Sequence, residues 1–404
     1  MRVVTARVSS EQHGFVKGKR ETEAVLAIES ALLTAYECGH SDFPSGVFLD
    51  QAAAFASVAH SWISLALATI GVPDWLLIGV LALYDNSAGI IGVGDSSIRI
   101  AMKAGIRQGC PASGSVWALI FDCVVRGLVR LLAPRRGLVR AYADDLALVL
   151  MNVLTDFPTV LKFFDIVLLA CGLALNLKKT QVLNLSRKSN EQMARLLAFL
   201  GASQVQVRHW AKYLGVLLGP GAAFLQFEDV GTKFRKRVSH VGTLGLPQCS
   251  SVVAYHIFCL SILRHKMQIA PLDKYIRSLE APAIARILSA PMHAFPKLVA
   301  GNFADITGSK SVQLFDIVAW ASSARVALGS AELDRHEERS RVYMDSDDVL
   351  LVPRTPAWTG SCTQHLLDTR LRILPLRPAL SGVSPRGLQH HILQALLRRE
   401  DGNM

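Results

Sequence analysis

The sequence predicts an α+β fold, a small antiparallel sheet with flanking helices followed by a largely helical lobe. Three observations carry that reading. A short apolar run, Val47-Phe48-Leu49-Asp50, ends on a carboxylate just after the chain-breaking Phe43-Pro44-Ser45-Gly46. Two strand-like runs, Leu138 to Tyr142 and Leu146 to Leu150, flank Ala143-Asp144-Asp145 as the arms of a hairpin flank its turn. Helical spacing of apolar residues governs much of the remainder.

The elements follow in order. From Glu21 to Cys38, the residues Val25, Leu26, Ile28, Leu32 and Leu33 recur between charged ones at the spacing of an amphipathic helix. Helical patterning returns from Ala52 to Leu83. Trp62 to Tyr84 is apolar enough to suggest a membrane segment, but Gly71-Val72-Pro73-Asp74 sits at its centre. A charge at that depth costs roughly 2.5 to 3.5 kcal/mol on insertion, so two buried helices joined by a turn are expected and no membrane partner. A further helix is expected over Ser113 to Leu132, with Trp117, Leu119, Ile120, Val124, Leu128 and Leu131 on its apolar stripe and Pro134-Arg135-Arg136-Gly137 at its end. Beyond Gly219-Pro220-Gly221 a separate helical lobe is expected over residues 222–330, with Lys233-Phe234-Arg235-Lys236-Arg237 near its start. From residue 331 the chain is charged and then rich in Pro, Arg and Leu, the composition of an extended or loosely packed tail.

Composition narrows the class. At 404 residues and 51% apolar, the chain can bury two or three packed lobes. Its 43 Lys and Arg against 32 Asp and Glu leave +11, which favours a polyanionic partner over an acidic small molecule. The seven cysteines are scattered without a Cys-x-x-Cys pair, arguing against a disulfide framework and a zinc ribbon and for a reducing compartment. Cys362 and His365, with His390 and His391, lack the second cysteine of a metal knuckle. The N-terminus has no hydrophobic core of a secretory signal, so an intracellular protein is expected.

The chemistry concentrates on three acids. Asp50 at a strand end and, some ninety residues later, Asp144-Asp145 at a hairpin tip suit phosphoryl transfer on two divalent ions. Such ions, about 3.5 to 4 Å apart, need convergent carboxylate oxygens from rigid elements. Taken singly, Asp50 could cap a helix and Asp144-Asp145 could form a polar turn. Their combination with the neighbouring segments points to a site.

Those segments resemble a family. Tyr142-Ala143-Asp144-Asp145 resembles the catalytic box of reverse transcriptases, and Gly105-Ile106-Arg107-Gln108-Gly109-Cys110-Pro111 resembles the box before it. Leu49-Asp50 with Ala54-Phe55 resembles the first palm box, and Cys171 through Thr180 the box after the twin acids. The second box together with Tyr213-Leu214-Gly215-Val216 most resembles enzymes of non-LTR retrotransposons. The likeness runs from about Glu11 to Gly219, in the family's order and spacing.

The resemblance implies an RNA-directed DNA polymerase that takes an RNA template, a DNA primer and deoxynucleoside triphosphates, with two Mg²⁺ ions (Mn²⁺ as substitute) held by Asp50, Asp144, Asp145 and the Gln51 carbonyl. It implies that Phe55 excludes a 2′-hydroxyl, that Gln108 and Gly109 contact the incoming nucleotide, and that Lys179 lies by the triphosphate. It further implies that Tyr213, Leu214 and Gly215 grip the primer, and that Arg107, Lys233, Arg235, Lys236 and Arg237 meet phosphates. The fold becomes a right hand: residues 1–45 a partial fingers segment, 46–221 a palm with fingers insertions, 222–330 a helical thumb-like domain, and 331–404 the tail. The same resemblance implies a nuclear or cytoplasmic location and an endonuclease supplied separately, if at all.

Departures temper the expected efficiency. Ala54-Phe55-Ala56 lacks the second acid the family usually carries there, and Pro111-Ala112-Ser113-Gly114 replaces the usual Pro-Leu-Ser-Pro. Glu11 through Lys19 resembles the second fingers segment with nothing of the usual upstream part, and Lys19 stands where the family usually has Arg. A lysine cannot give a bidentate phosphate grip. The competing expectation is therefore a catalytically inactive remnant that still binds nucleic acid.

Overall fold

Ser45–Leu49 (β1) contains no charged residue and is buried throughout, so it can be paired on both sides. It is the middle strand of a five-stranded sheet. In this computed structural model, which describes residues 2–38, 43–93, 96–290, 315–335 and 361–373, the chain divides between Leu214 and Gly215 into two compact units.

The first unit begins with two helices, Arg2–Arg7 (α1) and Glu21–Cys38 (α2), the second with the bounds its periodicity predicts. After β1 come Gln51–Ala52 (β2) and three helices, Ala54–Ser57 (α3), His60–Thr69 (α4) and Asp74–Ala82 (α5). The turn between α4 and α5 carries Gly71 and Pro73 as expected, but the expectation of two buried helices needs correction: α4 buries Ile63, Ala66 and Leu67 and leaves Leu65 exposed, while α5 buries only Val80 and leaves Trp75 and Ile78 exposed. Ser113–Leu132 (α6) buries Trp117, Ile120, Phe121, Val124 and Leu128 along one face. Leu138–Tyr142 (β5) and Asp145–Leu150 (β6) form the hairpin, followed by Val153–Cys171 (α7), Ala174–Leu175 (β7), Gln181–Asn184 (β8), Asn190–Phe199 (α8), Gln206–Arg208 (β9) and Ala211–Tyr213 (β10). The sheet order is β5-β6-β1-β8-β9, antiparallel except for the β8–β9 pair. Helices α2, α6 and α7 pack on it, and Gly127 lets the Phe163 ring of α7 come close to α6.

Ala88–Val93 (β3) and Ser96–Ala101 (β4), for which the sequence pattern gave no element, pair as an antiparallel ribbon. Its isoleucines Ile90, Ile91, Ile98 and Ile100 are exposed, so no buried face imposes the alternation that announces a strand.

The second unit opens with Val216–Leu218 (β11) and continues as helices: Glu228–Thr243 (α9), Gln248–Ala254 (α10), a π-helical turn at Tyr255–Leu260, Ser261–Met267 (α11), Lys274–Ser278 (α12), Glu280–Ile287 (α13) and Phe315–Gly329 (α14). Phe227, Phe234, Tyr255, Leu263, Ile276 and Phe315 form its core. The expected loose tail needs correction over residues 361–373: Cys362–Ile373 is a helix (α15) packed on α14. Cys362, Leu366 and Thr369 are buried at helical spacing, and the Ser361 hydroxyl accepts from Gln364 N at 2.9 Å. That local period outweighs the charged composition of the region as a whole. His365 meets the Ser323 hydroxyl at 3.2 Å, and burial pushes its imidazole down to about 4. His390, His391 and the rest of the tail lie outside the described residues. Among the described residues no helix is long and apolar enough to cross a membrane.

Candidate active site

Strand register brings the acids together. Tyr142 pairs with Asp145, leaving Ala143-Asp144 as a two-residue turn, and Leu49 pairs with Leu146. Asp50, one residue beyond β1, is thereby carried alongside Asp145 at the start of β6. Asp145 keeps solvent access, yet its carboxyl is pushed up to about 6, first by partial burial and then by the charges of Asp144 and Asp50. Asp145 thus senses the charges of Asp144 and Asp50.

The turn is locked from outside the hairpin. Ala143 takes a φ of 57°, a left-handed conformation that an ordinary side chain adopts only when its surroundings fix it. The surroundings are the N-terminal segment Glu11–His13, which lies along β5: His13 N donates to Ala141 O at 2.7 Å and Ala141 N to Glu11 O at 3.0 Å. Gln12, with no exposed surface, accepts from Ala143 N at 3.2 Å and donates to Ala143 O at 3.3 Å. Gly14 lies against the same peptide, where a Cβ would stand 2.0 Å from Ala143 N. Gln12 and Gly14 fall within the segment Glu11 through Lys19, where the sequence signals no role for them. The available signal was a small residue and a buried-capable amide two positions apart, which is too common to read alone.

The same strap explains Lys19. Its ammonium donates to Ser9 O at 2.5 Å and Gln12 O at 2.8 Å. Ser9 is in turn held by the buried Asp122, whose carboxylate accepts from Ser9 N and from Arg126 Nε at 2.6 Å. Lys19 therefore braces the strap.

Around Asp50 the backbone is tied to the loop after β7. Asn176 N donates to Asp50 O at 2.8 Å, Gln51 pairs with Leu175, and Lys179 Nζ stands 3.9 Å from Asp50 Oδ2 with its side chain 70% exposed. The Gln51 side chain is buried with neither Nε2 nor Oε1 partnered. Phe55 stacks on Trp117, centroids 4.5 Å apart at 18°, and Trp117 on Phe121 at 5.1 Å and 17°. The loop before α6 joins here, since Ile106 N donates to Phe55 O at 2.7 Å. Arg107, Gln108 and Gly109 are exposed in that loop; Arg107 donates to the Ser87 hydroxyl at 2.9 Å, and Gly109 has a φ of 83°.

The remaining expected residues are less gathered. Tyr213 is interior, its ring 5.6 Å from Phe48 and its hydroxyl unpartnered, with burial driving the phenol far above its ordinary range. Only Leu214 and Gly215, with φ of 45° and 82°, are half-exposed. In the second unit Lys233 pairs with Asp229 at 4.0 Å, Arg235 lies over the Tyr275 ring at 5.9 Å, and Arg237 donates to Phe258 O at 2.6 Å. Lys236 is exposed. Among the described residues no three His, Cys, Asp or Glu side chains stand close enough to be a ready-made site for a metal ion.

Residues 2–218 match the family described as reverse transcriptase (RNA-dependent DNA polymerase), more than half of the 404 residues. The chain belongs to the reverse transcriptase family. Within it, the chain is similar to Pol polyproteins of R2 retrotransposable elements, which makes it a reverse transcriptase of the non-LTR type. Identity is 27% over 202 residues with the type-1 R2 protein of Bradysia coprophila, covering 46% of this chain and 23% of that one. It is 26% over 243 residues with that of Popillia japonica (55% and 34%) and 25% over 342 residues with the type-2 R2DM protein of Drosophila melanogaster (76% and 31%). This reverse transcriptase thus spans about a quarter to a third of the length of those relatives. Among solved structures, apo telomerase from Candida tropicalis matches with a TM-score of 0.41 and 13% identity, covering 84% of this chain and 56% of that one.

Proposed function

We propose that this reverse transcriptase extends a DNA primer with deoxynucleotides along an RNA template, using Asp50, Asp144 and Asp145 as an oxygen-donor site for two Mg²⁺ ions, or Mn²⁺ in their place. The observation that carries the reading is Asp145, pushed up to about 6 by its burial and by the two neighbouring acids. Divalent cations would relieve that repulsion, and the donors are the carboxylate oxygens that hard ions prefer. The ions, when bound, would activate the primer hydroxyl and stabilise the leaving oxygen. The Gln51 carbonyl completes the donor set we assign.

The chain's own groups do the rest. Phe55, backed by Trp117, would bar a 2′-hydroxyl by bulk, while Gln108 and the flexible Gly109 approach the incoming nucleotide. Lys179, 3.9 Å from Asp50, would neutralise the triphosphate and give a proton to departing pyrophosphate. We read the first unit as palm with fingers insertions and the second as a thumb, with Leu214 and Gly215 beside the primer. Arg107, Lys233, Arg235, Lys236 and Arg237 are assigned to nucleic-acid backbone contact. A nuclear or cytoplasmic location completes the proposal.

The second reading is a nucleic-acid-binding remnant, favoured by Lys19, whose ammonium is engaged with backbone carbonyls. Incorporation of labelled deoxynucleotides on RNA template and DNA primer with Mg²⁺ separates the two. Activity lost in an Asp144→Asn, Asp145→Asn double variant supports the polymerase; binding of primer-template with incorporation no higher than in that variant supports the remnant.

A further inference from the structure

Phe15 is a large aromatic in the wrong place for a core residue. Its backbone takes a φ of 59°, a region bulky side chains rarely occupy, and the residue is 51% exposed. Burial therefore does not account for the strained conformation. The neighbours do. The ring lies on Gly114 in the first turn of α6, where a Cβ would come within 2.6 Å of Phe15 Cδ1. It stands edge-on to Phe55, centroids 6.1 Å apart at 79°. Behind Phe55 the stack continues through Trp117 and Phe121, both without exposed surface. Phe55 is thus held between a rigid interior stack and one exposed ring, and Phe15 is the member of the row that can be altered without opening the core.

We propose that Phe15 is a positioning residue for sugar selection: it fixes the angle of the Phe55 ring and so sets how strongly a ribonucleotide is rejected. The inference rests on the reading of Phe55 given above. The left-handed backbone serves this purpose, because the strap turns at Phe15 immediately after Gly14 packs on the Ala143 peptide. One short segment therefore aligns the acid-bearing turn and the aromatic wall together.

The test compares kcat/KM for deoxy- and ribonucleoside triphosphates. Phe15→Asn removes the ring while tolerating the left-handed backbone, Gly114→Ala puts a methyl group against the ring, and Phe15→Tyr keeps it. The first two are expected to lower deoxy-over-ribo selectivity by about tenfold, mainly through faster ribonucleotide use, with Phe15→Tyr within about twofold of the parent. Equal loss for both substrates, with selectivity unchanged, would overturn the proposal and leave Phe15 a structural brace. Phe55→Ala run in parallel keeps the two levels apart. If it too leaves selectivity unchanged, or if the parent chain incorporates nothing, the underlying reading of the site fails and this inference with it.

Discussion

The acid-bearing hairpin of the first unit and the basic helix α9 of the second were both conspicuous as charge clusters, yet the folded chain treats them oppositely. Backbone contacts fix the Ala143-Asp144 turn, through Gln12 and Gly14, while the carboxylates are left to repel one another. In α9 the backbone is an ordinary helix and the side chains are the engaged part, with Lys233, Arg235 and Arg237 all meeting groups of their own unit. A site in which like charges are held together against their repulsion needs an external cation or proton to settle it. A basic stripe most of whose charges already have partners does not announce a ligand in the same way.

The comparison can be broken at its strongest point first. Asp144→Asn should reduce nucleotide incorporation by about a thousandfold or more while leaving the melting temperature near that of the parent, measured by primer extension and thermal unfolding. A small effect on incorporation would remove the distinction between the two clusters. Next, Gly14→Ala puts a methyl group against the Ala143 peptide and should lower stability by about 3 kcal/mol. Gln12→Ala, which leaves buried N–H groups unmet, should lower it by about 1 to 3 kcal/mol. Denaturant unfolding reads both, and incorporation should fall with them.

A third, smaller effect is electrostatic. Because Asp145 titrates at about 6 when folded against 3.8 for the free group, the folded chain holds its proton more tightly. This contribution to stability is therefore present below about 4 and is lost as pH rises to about 6. Asp145→Asn should accordingly raise the melting temperature of metal-free protein at pH 7.5, with the gain shrinking toward zero near pH 4. Added Mg²⁺ should stabilise the parent and not this variant. The smallest expected change is in α9: Lys236→Ala should lower the salt dependence of RNA binding by about one ion, whereas Arg237→Ala, which frees Phe258 O, should act mainly on stability.

What could be read from the sequence follows the same division. Strand β1, helix α6 and the hairpin were legible because burial forces period and because the turn between β5 and β6 is short. The sequence singled out the three acids through the resemblance of their segments to family boxes, and the register of Leu49 with Leu146 is what sets Asp50 beside Asp145. The clamp of Gln12 on Ala143 joins residues 131 positions apart, a relation no local pattern encodes. The β3–β4 ribbon was invisible because its isoleucines are exposed, and α15 because a general excess of charge masked three buried positions at the right intervals. For the basic run, composition gave the charge but not its partners.

The strap along β5 has one more consequence, for how the protein can be handled. β5 is an edge strand of the sheet, and Glu11 and His13 occupy hydrogen-bonding groups that it would otherwise present to other molecules. A version trimmed past Val16 would bare an unpaired strand beside the acidic turn, and such borders recruit strands from neighbouring copies. Loss of solubility on trimming would then report a missing cover strand, with the polymerase chemistry a separate question.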